Sequence, residues 1–144
     1  MKRFILGIIL FQYSIWSWSQ DAYICIPTAK TGFIFNSNSK KWEVTRFTVA
    51  DQKKILSRNG NSWEWKQFGL PYSLSIICGG SKSDPKGDDF NASGFLYCEG
   101  FATYLRISKN SLRYIEIFDY GFVDGKDLDS FTPSMEMGTC VVLK

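Results

Sequence analysis

The stretch that decides the fold runs from Lys53 to Phe68: KKILSR, then Asn59-Gly60, then NSWEWKQF. Asn-Gly tolerates the positive φ angles that a tight hairpin turn requires. Beyond it the residues alternate with a period of two, which places Trp63 and Trp65 on one strand face and Glu64 and Lys66 on the other. Such a hairpin, apolar on one side and charged on the other, is the unit of an antiparallel sheet.

The same pattern extends outward in both directions. Upstream, TGFIFNS at 31–37, the turn SNSK and KWEVTRF at 41–47 form a second hairpin, with Phe33 and Phe35 sharing one face and, on the return strand, Trp42 and Val44 sharing one face. Downstream come SLSIIC ending at Cys78, SGFLYC at 93–98 with a turn read at Glu99-Gly100, FATYLRIS to Ser108, LRYIEIF at 112–118 and MEMGTCVVL at 135–143. Polar loops rich in Gly, Pro and Asp separate them at 79–92 and 124–134. Phe33, Phe35, Asn36, Ser39 and Trp42 align at a constant offset with Leu105, Ile107, Ser108, Ser111 and Tyr114. Duplication is one explanation; we read the alignment as two hairpins that independently obey the same turn chemistry. Helical periodicity is scarce. The expected fold is all-β: one antiparallel meander of about eight strands, closed as a small barrel or folded as a sandwich, with two disulfides. Closure removes the exposed edges that invite aggregation.

The N-terminus reads Met1-Lys2-Arg3 followed by the apolar run FILGIILFQYSI to Ile15. A basic start and an apolar stretch too short to span a bilayer are the marks of a secretory leader. Small residues at Ser17 and Ser19 place the cut after Ser19 or one residue later; the first gives a signal peptide over 1–19 and a single β domain over 20–144. Export to the periplasm or beyond follows, with no stable membrane insertion once the leader is gone. Lys2 and Arg3 leave with it, so of 17 basic residues 15 remain against 14 acidic ones. That near-neutral balance lacks the basic footprint of a nucleic-acid binder.

Four cysteines remain in the mature chain: Cys25, Cys78, Cys98 and Cys140. An even count in an exported chain reads as two disulfides. In a closed meander the first and last strands are neighbours, which would let Cys25 reach Cys140 and leave Cys78 to bridge Cys98 across the polar loop. Pairing in sequence order, Cys25–Cys78 with Cys98–Cys140, is the alternative. No two cysteines are closer than Cys78 and Cys98, and the chain has no histidine, so the thiols do not spell a zinc site. No cofactor motif is present.

The missing histidine also removes the commonest general base and any Ser-His-Asp or Cys-His machine. No catalytic residue stands out, and a non-enzymatic binding or structural protein is expected. A small hydrolase using two carboxylates is one alternative, which would need them in a concave pocket about 5–10 Å apart. Asp84, Asp88 and Asp89 in the first loop, and Asp124, Asp127 and Asp129 in the second, lack the ligand spacing of a calcium loop and read as solubilising residues. Trp63 and Trp65 could stack sugar rings, but in a small barrel such residues fill the core.

Cys25 with Pro27, GFIFNSNSKKW at 32–42, GFLYCEG at 94–100, SLRY at 111–114 and TPSMEMGTC at 132–140 together resemble a group of small exported bacterial proteins of unknown function. The resemblance implies export and one domain, with a partner expected among envelope or secreted proteins. Ser93-Gly94-Phe95-Leu96-Tyr97 is similar to the Ser-Gly-x-x-Tyr stretch of periplasmic inhibitors of c-type lysozyme, which are small β-barrels. That second resemblance implies a binding loop on which Ser93 and Tyr97 would hydrogen-bond to the catalytic carboxylates of a lysozyme.

Overall fold

The computed structural model describes residues 22–70, 74–79 and 89–143. The signal peptide read over 1–19, its cut site, and Asp84 and Asp88 of the first loop lie outside the described residues. Among the described residues nine strands follow in chain order: β1 (Ala22–Asn36), β2 (Lys41–Phe47), β3 (Lys54–Asn59), β4 (Ser62–Gln67), β5 (Ile76–Cys78), β6 (Phe95–Gly100), β7 (Thr103–Ser108), β8 (Arg113–Phe118) and β9 (Ser134–Leu143). All pairings are antiparallel, and β1 pairs with β9 to close a barrel of eight strands, with β2 as an added ninth. The meander is a barrel, not a sandwich. Among the described residues there is no helix.

The extra strand comes from the length of β1. Residues 22–25 pair with β3 and residues 30–36 pair with β2, while residues 22–32 pair with β9 on the opposite edge. The β1–β2 hairpin therefore continues past the barrel as a projecting arm. A register shift between Pro27 and Ala29 marks the change. Proline has no N–H to give the ladder, and a bulge there bends the strand. The strand begins nine residues before Thr31, where the hairpin pattern starts in the sequence; Ile24, Pro27 and Ala29 break the alternation that reports a strand.

Turns explain the other differences. At Asn59-Gly60 the hairpin closes with Asn59 paired to Ser62, and the positive φ falls on Gly60 alone, at 63°. A positive φ at the first central position is the type II′ pattern, which suits the right-handed twist of the flanking strands. The turn read at Glu99-Gly100 belongs two residues later: Gly100 pairs with Thr103, and Phe101 and Ala102 carry the turn with φ of 51° and 55°. Gly100 stays in the strand, where a Cβ would press on Ile76 Cγ2 at 3.3 Å. The two aligned hairpins share turn geometry: Lys40 and Leu112 stand at the same place in their turns, with φ of 54° and 55°.

Alternation fills the barrel. Tyr23, Leu56, Trp63, Trp65, Leu96, Leu105, Ile107 and Tyr114 point inward and are buried. Trp63 lies 5.6 Å from both Tyr23 and Phe90, and Trp65 lies 5.1 Å from Tyr114. The paired tryptophans are core, as expected. Eight strands leave room for either packed side chains or one small ligand, and here the rings take the room. The disulfides are Cys25–Cys140 and Cys78–Cys98, each joining register partners on neighbouring strands, so the sequence-order pairing is excluded.

Gly138 sets the packing at the seam. A Cβ there would stand 2.3 Å from the Ile26 carbonyl oxygen and 2.5 Å from the Tyr114 ring, which lies across the glycine from the adjoining strand. Neither neighbour is a flexible side-chain end. Gly138→Ala is expected to lower stability by about 2–3 kcal/mol, as overpacking does, measured by urea denaturation of the oxidised protein.

Candidate functional site

Strands β8 and β9 invert the usual pattern. In β8, Tyr114 and Glu116 are buried while Ile117 is 42% exposed; in β9, Glu136 and Gly138 are buried while Met135 and Met137 lie outside. Two consequences follow, one inside the barrel and one on its surface.

Inside, Glu116 and Glu136 face each other as cross-strand partners. Like charges so placed repel, and Lys54 from β3 resolves this. Its Nζ lies 2.9 and 3.2 Å from the two Glu116 oxygens and 3.6 Å from Glu136 Oε1. Trp65 Nε1 donates to Glu116 Oε2 at 2.6 Å, and the Tyr114 hydroxyl donates to Glu136 Oε1 at 2.8 Å. Lys30 Nζ approaches Glu136 Oε2 at 3.8 Å, an oxygen that accepts no hydrogen bond among the described residues. Burial, then the charge of Glu136 and the hydrogen bond to it, push the Tyr114 phenol far above its ordinary pKa, so it stays a donor. Glu116 and Lys54 line a cavity of about 370 Å³ with Trp65, Leu70 and Phe101. Glu136 is 1% exposed and is not among the residues that line this cavity.

Outside, the displaced apolar residues line a cleft of about 570 Å³. Met135 and Ile117 are paired across β8 and β9, Phe33 and Val44 across β1 and β2. Trp42, Phe118, Phe122, Val123 and Pro133 add to the apolar lining. Val44 is 77% exposed, Val123 74% and Phe122 60%. Side chains of this kind grouped in one concavity are unusual on a solvated surface, whereas single ones are not.

The walls are braced. Trp42 Nε1 donates to Asp127 Oδ1 at 2.8 Å, and its ring meets Phe35 at 5.5 Å and Phe122 edge-on at 5.6 Å. The segment between β8 and β9 is held by Gly121 N–H on Asp124 Oδ2 at 3.0 Å and by Tyr120 stacked edge-on against Phe131 at 4.8 Å. Gly121, at φ 102°, would put a Cβ 2.5 Å from Phe131 Cβ. Asp124 and Asp127, read as solubilising, thus brace the loop that walls the cleft. Among the described residues no three His, Cys, Asp or Glu side chains gather as a metal site would.

The residues singled out in the sequence fall elsewhere. Ser93 is exposed in the turn before β6, its N–H bonded to Asn91 Oδ1 at 3.0 Å, and Gly94 follows with φ 78°. Tyr97 leaves the outer face of β6, with the Arg106 guanidinium 5.6 Å from its ring centroid. Both reach solvent, Ser93 from the turn and Tyr97 from the strand. Asp89 accepts the Trp63 indole N–H at 2.9 Å and pairs with Arg58. Desolvation works against its charge, but the bonds from Trp63 and the Phe90 N–H and the charge of Arg58 together hold its carboxyl below the ordinary range.

Nothing in the local sequence marks Glu116, Glu136 or the cleft. In YIEIF and MEMG the apolar residues look inward and the glutamates outward. Cysteine parity was the available signal. A disulfide cysteine points into the barrel, so Cys140 puts Gly138, Glu136 and Ser134 inside by period two and Met135 and Met137 outside.

Two disulfides suit an oxidising compartment. Among the described residues, no helix is long and apolar enough to cross a membrane. No protein-family model, curated protein or solved structure matches the chain.

Proposed function

We propose that the chain is an exported binding protein, working in the periplasm or outside the cell, whose ligand site is the cleft between the β1–β2 arm and the loop before β9. The inverted pattern of β8 and β9 carries this reading. Burying Glu116 and Glu136 costs desolvation, and leaving Ile117 and Met135 in water forgoes hydrophobic stabilisation. Both are explained if the outer face is kept apolar for a ligand.

A volume of about 570 Å³ lies within the range of small-molecule sites. The barrel lumen is filled by Trp63, Trp65 and Tyr114, so a ligand takes the outer wall. The leader at 1–19 and the two disulfides support the compartment.

Titration with the neutral apolar fluorophore N-phenylnaphthylamine tests the reading. The oxidised protein is expected to bind it at micromolar concentration. Val44→Glu puts a charge in the cleft on a side chain already 77% exposed, so the fold should persist while binding weakens by about ten-fold or more. Absence of binding, or equal binding by the variant, would refute it.

A further inference from the structure

We infer that the ligand of this cleft is a free single-chain amphiphile with an anionic head, the head held by Arg46 and the chain lying along β2 towards Trp42. This rests on the cleft being a ligand site. The cleft adjoins a second cavity, of about 410 Å³, with which it shares Thr31 and Met135. Arg46, Lys30 and Met137 also line that second cavity.

The register orders the chemistry. Trp42, Val44 and Arg46 alternate on one face of β2, paired to Phe35, Phe33 and Thr31 of β1. Read along that face, the lining is aromatic, aliphatic and then cationic. From Trp42 to Arg46 the strand rises about 13 Å, roughly the length of an extended ten-carbon chain. Lys30 is already engaged by Glu136. Arg46 is exposed, and among the described residues it has no carboxylate within ion-pair reach. A guanidinium presents forked donors that match a carboxylate or phosphate.

Asp119 bears on where the head goes. It lines the cleft just past the end of β8, a strand that β9 and β1 separate from β2 by three strand spacings or about 14 Å along the sheet. Its charge repels an anionic head from that side and leaves Arg46 as the place for it. Phe33, Val44, Ile117 and Met135, with Thr31 and Ser134, line the cleft between.

Decanoate and decyltrimethylammonium have equal chains and opposite heads, and both can be titrated calorimetrically below their aggregation concentrations. The oxidised protein is expected to bind decanoate about five-fold or more tightly than the cation, given the strength of a charge-assisted hydrogen bond. Arg46→Gln should bring the two within about two-fold of each other while N-phenylnaphthylamine binds as before. Equal or better binding of the cation, or a preference that survives Arg46→Gln, overturns the assignment. If N-phenylnaphthylamine binds and the heads are not distinguished, the head site alone falls. If no probe binds, the cleft reading falls with it. Capture by anionic vesicles without binding of free decanoate would place the head in a bilayer and overturn the inference. So would a micromolar dimer that Val44→Glu dissociates, since a second copy would then occupy the face.

Discussion

Lys54→Met is expected to destabilise the barrel by about 3–5 kcal/mol, the cost of stranding buried charge, and so to remove a large share of the total for a domain of this size. Lys54 Nζ is the cation between two carboxylates that the β8–β9 register sets opposite each other. Without it, Glu116 keeps the Trp65 indole and Glu136 keeps the Tyr114 hydroxyl, but their mutual repulsion is no longer balanced from β3. Methionine is close in length to lysine, so the variant changes charge more than volume. The double variant Lys54→Met with Glu116→Gln should recover part of the loss, because the amide oxygen can still accept from Trp65 while the second charge is gone. Urea denaturation of the three proteins measures both effects. A Lys54→Met protein as stable as the parent would show that the network is not a charge balance.

Loss of the Cys25–Cys140 bridge, by Cys25→Ala with Cys140→Ala, is expected to cost about 4–5 kcal/mol. Loss of Cys78–Cys98 should cost less, about 3 kcal/mol. The difference comes from the chain closed in each case: the sequence separations are 115 and 20 residues. A cross-link over a longer loop removes more freedom from the unfolded chain. Cys25 and Cys140 also join the strands whose pairing closes the barrel, and the long β1–β9 ladder keeps that seam together after the sulfurs are removed. The double-alanine variants are therefore expected to stay folded in buffer and to separate in denaturant midpoint. Equal losses from the two bridges, or a larger one from Cys78–Cys98, would show that native contacts at the bridges outweigh the loop term.

These expectations depend on features of different visibility. Trp63 and Trp65 were legible as core because both flank a charged residue on a strand announced by its turn. The four cysteines were legible as two bridges, and strand adjacency in a closed meander favoured the pairing found. The turn at Phe101-Ala102 was not legible, because neither residue is a usual occupant of positive φ and Glu99-Gly100 beside it is. Ser93 and Tyr97 stood out as a short motif, and the fold places them on the turn and outer face of β6. The cleft residues lie far apart in the chain, from Phe33 to Met135, and no local pattern links them.

By itself the sequence determined the class and the size of the sheet: period-two alternation, turn residues at short intervals and an even set of cysteines leave few alternatives to an antiparallel β domain. Those signals are local, arising within one strand or one turn. Only the tertiary structure decided which face of β8 and β9 turned inward, that β1 was long enough to carry a ninth strand past the barrel, and that an apolar cleft formed beside it. Each depends on register between distant strands, where a shift of one residue exchanges the two faces. Neighbouring residues along the chain hold no record of that choice.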